Sequence, residues 1–262
     1  MNIIIISTIL VAVLGLFIGV FLGFASEIFK VDVDERIVKV REALPGNNCG
    51  GCGYPGCDGC AEAIVKGLAP TNACPVGGEP VAKEISNILG VQAETSEKQV
   101  AYVHCNGTCL NANKSYNYVG EKDCRVVALT PNKGEKSCKY ACMGYGTCVK
   151  ACKFDAIHIV DGVAVVDKDK CVACKACINA CPMGLISLVY YNKDHHIACS
   201  NKDKGPDVMK VCKVSCIACG MCEKNCPTNA ITMENNLPVI NYAKCTNCGT
   251  CAEKCPRKLI TK

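Results

Sequence analysis

The chain has 262 residues and a net charge of +5. It is half apolar, but aromatic residues are few and Trp is absent, so it lacks the basic stripe and stacking surface that nucleic-acid binding requires. Its 26 cysteines would suggest a disulfide scaffold in a small secreted chain, whereas this length and the repeated two-residue spacings suit metal clusters. Structural zinc fits less well, because it uses separated C-x2-C pairs without a third close cysteine and a trailing Cys-Pro.

Ile3 to Ala25 carries no charge and as a helix would span roughly 34 Å, enough to cross a bilayer. No basic residue precedes it, as a cleaved signal peptide would require, while Lys30, Arg36, Lys39 and Arg41 follow it. The positive-inside rule then predicts a single-pass anchor in the cytoplasmic membrane with the bulk of the chain cytoplasmic, where thiolates stay reduced. Gly15, Gly19 and Gly23 recur on one face and predict close packing against other membrane helices.

Val33, Ile37, Val40 and Leu44 form a helical stripe ended by Pro45-Gly46. Cys49, Cys52, Cys57 and Cys74 follow as C-x2-C-x4-C-x16-C, a glycine-rich loop offering three thiolates and a later turn the fourth. Gly51, Gly53 and Gly56 match G-x-G-x-x-G, but no strand precedes them and cysteines interrupt them, which argues against a dinucleotide site. Cys60 reads as a small buried residue on a helix with Ile64, Val65 and Leu68 inward. Val81, Ile85, Ile88 and Leu89, stopped by Gly90, predict another helix, and the polar run 92–99 a linker.

Three later runs read C-x2-C-x2-C-x3-C-P: Cys171, Cys174, Cys177, Cys181; Cys216, Cys219, Cys222, Cys226; and Cys245, Cys248, Cys251, Cys255. In that pattern three close thiolates hold one [4Fe–4S] cluster and the fourth reaches its partner. A shift of 74 residues superimposes Cys138, Cys142, Cys148, Cys152, Cys171, Cys174, Cys177 and Cys181 on Cys212, Cys216, Cys222, Cys226, Cys245, Cys248, Cys251 and Cys255. Eight cysteines in register imply two copies of one domain. In each copy a hairpin follows the first run, through Asp161-Gly162 in copy one and Glu234-Asn235-Asn236 in copy two.

Cys219 falls on Tyr145, so copy one lacks one ligand. Cys138 is expected to substitute for it, the alternatives being a three-iron cluster or an exogenous ligand. The fourth-ligand crossover groups Cys138, Cys142 and Cys148 with Cys181; Cys171, Cys174 and Cys177 with Cys152; Cys216, Cys219 and Cys222 with Cys255; and Cys245, Cys248 and Cys251 with Cys226. With the N-terminal set this gives five clusters and twenty ligands. Cys60, Cys105, Cys109, Cys124, Cys199 and Cys212 remain. Cys124 and Cys199 stand at similar distances before Cys138 and Cys212. Apart from Cys60 these are either buried packing thiols or the source of a sixth cluster. No catalytic acid or base stands out: His195-His196 reads as a pair on a polar loop, and His158 as outward on a strand.

The anchor, the loop Cys49-Gly50-Gly51-Cys52-Gly53-Tyr54-Pro55-Gly56-Cys57 with Cys74, and the ferredoxin runs together resemble the B subunit of Rnf (Rsx) electron-transport complexes. The resemblance implies an α+β chain with five parts: an anchor (1–26), a small helical [4Fe–4S] domain (27–91), a cysteine-bearing linker (92–137) and two ferredoxin-like modules (138–192 and 193–262). It further implies a subunit that takes electrons from soluble reduced ferredoxin, beside other Rnf membrane subunits that carry them toward NAD and move sodium ions or protons. A polyferredoxin-like subunit of another membrane enzyme, or a reducing system for an iron–sulfur sensor, would share most of these motifs.

Overall fold

A computed structural model describes residues 2–29, 34–92 and 97–261. Lys30 and Val33 of the expected flank and stripe, and residues 93–96 of the expected linker, lie outside the described residues. Helix α1 (Asn2–Ile28) is long and apolar enough to cross a membrane, and its described side chains are almost all exposed. A Cβ added at Gly15, Gly19 or Gly23 would meet nothing within 4 Å, so this face of α1 is open to a neighbouring helix.

The N-terminal domain is three short helices around one core. Asp34 caps α2 (Glu35–Ala43) by accepting the Arg36 amide at 2.9 Å. Then come α3 (Gly56–Val65) and α4 (Gly78–Leu89), which ends in left-handed Gly90. Val40, Leu44, Ile64 and Ile85 pack with Cys57, Cys60 and Cys74, each large aliphatic contributing about 1.5–3 kcal/mol of burial. Leu68 is a correction: it is exposed, not inward. Helix α3 stops just before it, in left-handed Gly67, with the Leu68 amide donating to Ala63 O at 2.8 Å and the Gly67 amide to Ile64 O at 3.0 Å.

Each ferredoxin module is built from two two-stranded antiparallel sheets. Module 1 has β1 (Gln99–Val103), β2 (Ile157–Val160), β3 (Val163–Val166) and β4 (Ile186–Tyr190), with β1 paired to β4 and β2 to β3. Module 2 has β5 (His196–Ile197), β6 (Ile231–Glu234), β7 (Leu237–Ile240) and β8 (Ile260–Thr261), with β5 paired to β8 and β6 to β7. The hairpin turns are two residues long with both φ positive, Asp161-Gly162 and Asn235-Asn236, as the right-handed strand twist requires. The end of the expected linker is therefore a strand: β1 starts at Gln99, and Val100 and Ala101 lie in the core of module 1.

Strand pairing also changes one equivalence. Val103 pairs with Ile186 and Ile197 with Ile260, and Ile186 and Ile260 are themselves 74 residues apart. Cys105, two residues after Val103, is thus the counterpart of Cys199, and Cys124 is not. Residues 106–137 of module 1 are longer than the matching stretch of module 2 and carry Cys109 and Cys124 as additions. The histidine pair is likewise not on a polar loop. His196 opens β5, is fully buried and shares a 2.7 Å hydrogen bond with the Tyr242 hydroxyl, while His195 is also buried. His158 is exposed near Asp155, as expected of an outward strand position.

Candidate iron–sulfur centres

The loops that carry the cysteines hold a backbone that chain sterics disfavour. Ala173, Lys175, Ala218 and Asn247 are non-glycine residues with φ of 54, 63, 56 and 62°, and Gly220 and Gly249 adopt similar values. Left-handed residues alternating with cysteines turn successive amides to one side, the geometry that cradles sulfide and thiolate. Strain of about 1–3 kcal/mol per residue persists where a bound group repays it.

In the N-terminal domain Cys52, Cys57 and Cys74 lie within electrostatic reach of one another, and Cys49 lies within that reach of Cys174 of module 1. Cys60 is buried as expected, and its thiol meets that of Cys52; burial, then that contact, pushes it up to about 12. Gly51 packs directly on the backbone of Cys174. A Cβ there would stand 3.0 Å from Cys174 Cα, so the N-terminal loop and module 1 meet with no side chain between them.

In module 1, Cys152, Cys171, Cys174 and Cys177 line a cavity walled by Phe154, Ile157 and Val166, and the Ala101 amide of β1 donates to Cys171 Sγ at 3.3 Å. The second cavity brings together Cys142, Cys148, Cys181 and Cys124. Cys138, expected there, is absent, and Cys124 stands in its place at the start of the helical turn Cys124–Val127. Asp123 caps that turn, and Thr147 Oγ1 accepts the Cys124 amide at 2.8 Å, fixing the position from which the thiol reaches the cavity. The inserted segment thus returns the thiol that copy one lacks at Tyr145.

In module 2, Cys216, Cys219, Cys222 and Cys255 line a cavity with Met233, Pro238 and Leu259. Cys251 lies within reach of Cys245 and Cys248, and Cys226 accepts the Ala230 amide at 3.3 Å. The exposed thiols Cys219 and Cys248 open both sites to solvent. Cys109 belongs to none of these groups; it is exposed, and its amide donates to Asp161 O at 2.8 Å behind the hairpin turn.

Burial pushes the thiols upward, Cys148 to about 12 and Cys177 and Cys222 to about 11. Exposed Cys248 is lowered instead, by hydrogen bonding from the Thr250 hydroxyl 3.4 Å away. Sulfur binds iron as thiolate, so loading these sites releases protons that burial otherwise retains. Among the described residues, no group of three or more His, Cys, Asp or Glu converges on the point a single metal ion would occupy. Sets of four thiols that ring one cavity without converging on a point fit a four-iron cluster better than zinc.

Comparison with known proteins agrees. Residues 44–76 match the family model for a putative Fe-S cluster, 164–187 a 4Fe-4S binding domain, and 215–259 a 4Fe-4S dicluster domain. The B subunit of the Na(+)-translocating ferredoxin:NAD(+) oxidoreductase complex of Acetobacterium woodii is 46% identical, over 93% of this chain and 73% of its own length. The B subunit of the ion-translocating oxidoreductase complex of Methanosarcina acetivorans is 45% identical over 91% and 90%. The B subunit of the proton-translocating ferredoxin:NAD(+) oxidoreductase complex of Clostridium ljungdahlii is 38% identical over 92% and 85%. The chain belongs to this family: it is the iron–sulfur, electron-transferring B subunit of an Rnf-type ion-translocating oxidoreductase complex.

Proposed function

We propose that this protein receives electrons from soluble reduced ferredoxin at module 2 and delivers them, through module 1 and the N-terminal domain, to membrane partners that reduce NAD and move sodium ions or protons. The observation that carries this reading is that exposed thiols open module 2 to solvent, while module 1 meets the domain behind the membrane helix at the Gly51–Cys174 contact. Five [4Fe–4S] clusters are assigned to Cys49, Cys52, Cys57 and Cys74; Cys152, Cys171, Cys174 and Cys177; Cys124, Cys142, Cys148 and Cys181; Cys216, Cys219, Cys222 and Cys255; and Cys226, Cys245, Cys248 and Cys251. The clusters supply one-electron redox chemistry when bound. The chain orders them, buries them and directs amides at their sulfurs, which tunes their potentials.

Charge supports module 2 as the receiving end. Residues 193–262 hold eleven Lys and Arg against six Asp and Glu, the whole net charge of +5; the rest of the chain is balanced at eighteen of each. Lys224, Lys244 and Lys254 are exposed in the helical turns and loops around the two module 2 sites. Such a face steers an acidic carrier, as a soluble ferredoxin would be. Arg36, Lys39 and Arg41 behind α1 favour a cytoplasmic body, and the open glycine face of α1 favours contact with other membrane subunits. The test is stopped-flow mixing of the loaded full-length chain with reduced ferredoxin. Rapid bleaching of the chain is expected, and failure to be reduced by ferredoxin would overturn the proposal.

A further inference from the structure

Four cysteines outside the five sites meet where the two modules join. Cys105, Cys138, Cys199 and Cys212 line one cavity with Asn106, Ala141, Ala198 and Asn201. Two come from each module and occupy equivalent places: Cys105 matches Cys199 through strand pairing, and Cys138 matches Cys212 through the repeat. The Cys142 amide donates to Cys105 Sγ at 3.3 Å, and the equivalent Cys216 amide to Cys199 Sγ at 3.5 Å. The Gly107 amide donates to Cys105 Sγ at 3.4 Å and the Asn201 amide to Cys199 Sγ at 3.5 Å, again equivalent positions. Cys138 and Cys212 are served in the same way by the amides of Tyr140 and Val214. Buried Asn201 of module 2 also gives its side-chain amide to Cys138 of module 1 at 3.4 Å.

We infer that Cys105, Cys138, Cys199 and Cys212 hold a sixth [4Fe–4S] cluster on the pseudo-two-fold joint between the ferredoxin modules. The inference rests on reading the other five sites as iron–sulfur centres. Its cavity matches in size those lined by the thiol quartets of the ferredoxin-type sites. Ordinary packing explains neither four thiols turned to one cavity nor amides aimed at each. Positive charge is also stored here. Lys136 is 5% exposed, and its Nζ donates to Gly107 O and Gly162 O at 2.7 Å each, with no carboxylate within ion-pair distance among the described residues. Arg257 Nη2 donates to Cys212 O at 3.3 Å. A buried cation needs a counter-charge, and four thiolates around iron leave a net negative one.

The position has a consequence for the row of sites. The amides of Cys142 and Cys216, which reach the joint thiols, belong to residues of the neighbouring sites in modules 1 and 2. The joint site therefore fills the gap between the modules. A four-iron cluster there supplies a one-electron relay, taking an electron from one side and giving one to the other with no bond made and no proton exchanged.

The experiment compares iron, acid-labile sulfide and zinc in the anaerobically loaded full-length chain, in the double variant Cys199→Ser/Cys212→Ser, and in the control Cys109→Ser. The expected result is about 24 iron and 24 sulfide in the parent and control and about 20 of each in the double variant. About 20 in the parent, unchanged in the variant, would overturn the sixth site while leaving the five-cluster reading intact. One zinc lost with the variant would also overturn it, as a single-ion site. Should the double variant fail to fold, the parent decides alone: about 24 iron upholds the inference and about 20 refutes it. Absence of iron altogether would instead sink the broader reading.

Discussion

Replacing Gly51 by alanine would put a methyl carbon 3.0 Å from Cys174 Cα and 3.1 Å from Cys174 O, both backbone atoms that cannot swing aside. The φ of Gly51 is not in the left-handed region, so the loop itself accepts a side chain and the N-terminal cluster should still assemble. What must give is the seam between the N-terminal domain and module 1, by a few tenths of an ångström for alanine and more for valine. Overpacking of this kind costs about 1–3 kcal/mol. The usual gain of replacing glycine, about 0.4–1 kcal/mol, acts on the unfolded chain and does nothing for docking. The docked arrangement should therefore weaken by about 1–2 kcal/mol in Gly51→Ala, on the order of 10-fold in the docking equilibrium. The assay is EPR of the fully reduced full-length chain, in which neighbouring paramagnetic clusters split one another's lines. Gly51→Val should keep its iron and lose the splitting between the N-terminal cluster and that of Cys152, Cys171, Cys174 and Cys177. Unchanged splitting with full iron would refute the claim that this seam joins the two.

Charge reversal of Lys224, Lys244 and Lys254 to Glu should slow reduction by ferredoxin about 10-fold at low ionic strength. The difference should vanish near 1 M salt, where the Debye length is about 3 Å; an effect that persists at high salt would mean the lysines act otherwise. Cys124→Ser should convert the site of Cys142, Cys148 and Cys181 to a three-iron cluster by EPR, whereas Cys138→Ser should leave that site intact and disturb only the joint site, because only Cys124 lines the cavity of Cys142, Cys148 and Cys181; loss of iron from that site in Cys138→Ser but not in Cys124→Ser would restore the expected substitution by Cys138. His196 is fully buried, and burial, then the Lys168 charge, lowers it from 6.5 to about 4. The unfolded chain then binds the extra proton between these values, so this contribution to stability is full above about pH 6.5 and is lost as pH falls toward 4. It amounts to about 3 kcal/mol. His196→Gln, which keeps a partner for Tyr242, should hold its visible cluster absorption to lower pH; an unshifted acid limit would refute this.

The ferredoxin sites were legible because their ligands are local: C-x2-C-x2-C-x3-C-P writes three thiols of a site into seven residues, and the hairpin signals fix the fold around them. What the sequence did not reveal is long-range. Cys124 reaches Cys142 from an insertion, and nothing in its own neighbourhood marks it as a replacement for Tyr145. Cys105 and Cys109, with three residues between them, have the spacing of a ligand pair, but β1 pairs with β4 and brings Cys105 to one cavity with Cys199 while Cys109 lies behind the hairpin. The signal was present in the repeat all the same: aligning the strands ahead of each module, and not only the cysteines, sets Cys105 on Cys199. His195-His196 misled because a polar-looking pair before Ile197 can still begin a core strand when β8 arrives from the chain end to pair with it.

Mössbauer spectroscopy of the full-length chain, labelled with ⁵⁷Fe and purified without oxygen, tests the central claim most directly. The account predicts that essentially all iron resides in four-iron clusters that accept electrons from a low-potential reductant. Mononuclear iron, or zinc in place of iron at these thiols, would contradict it.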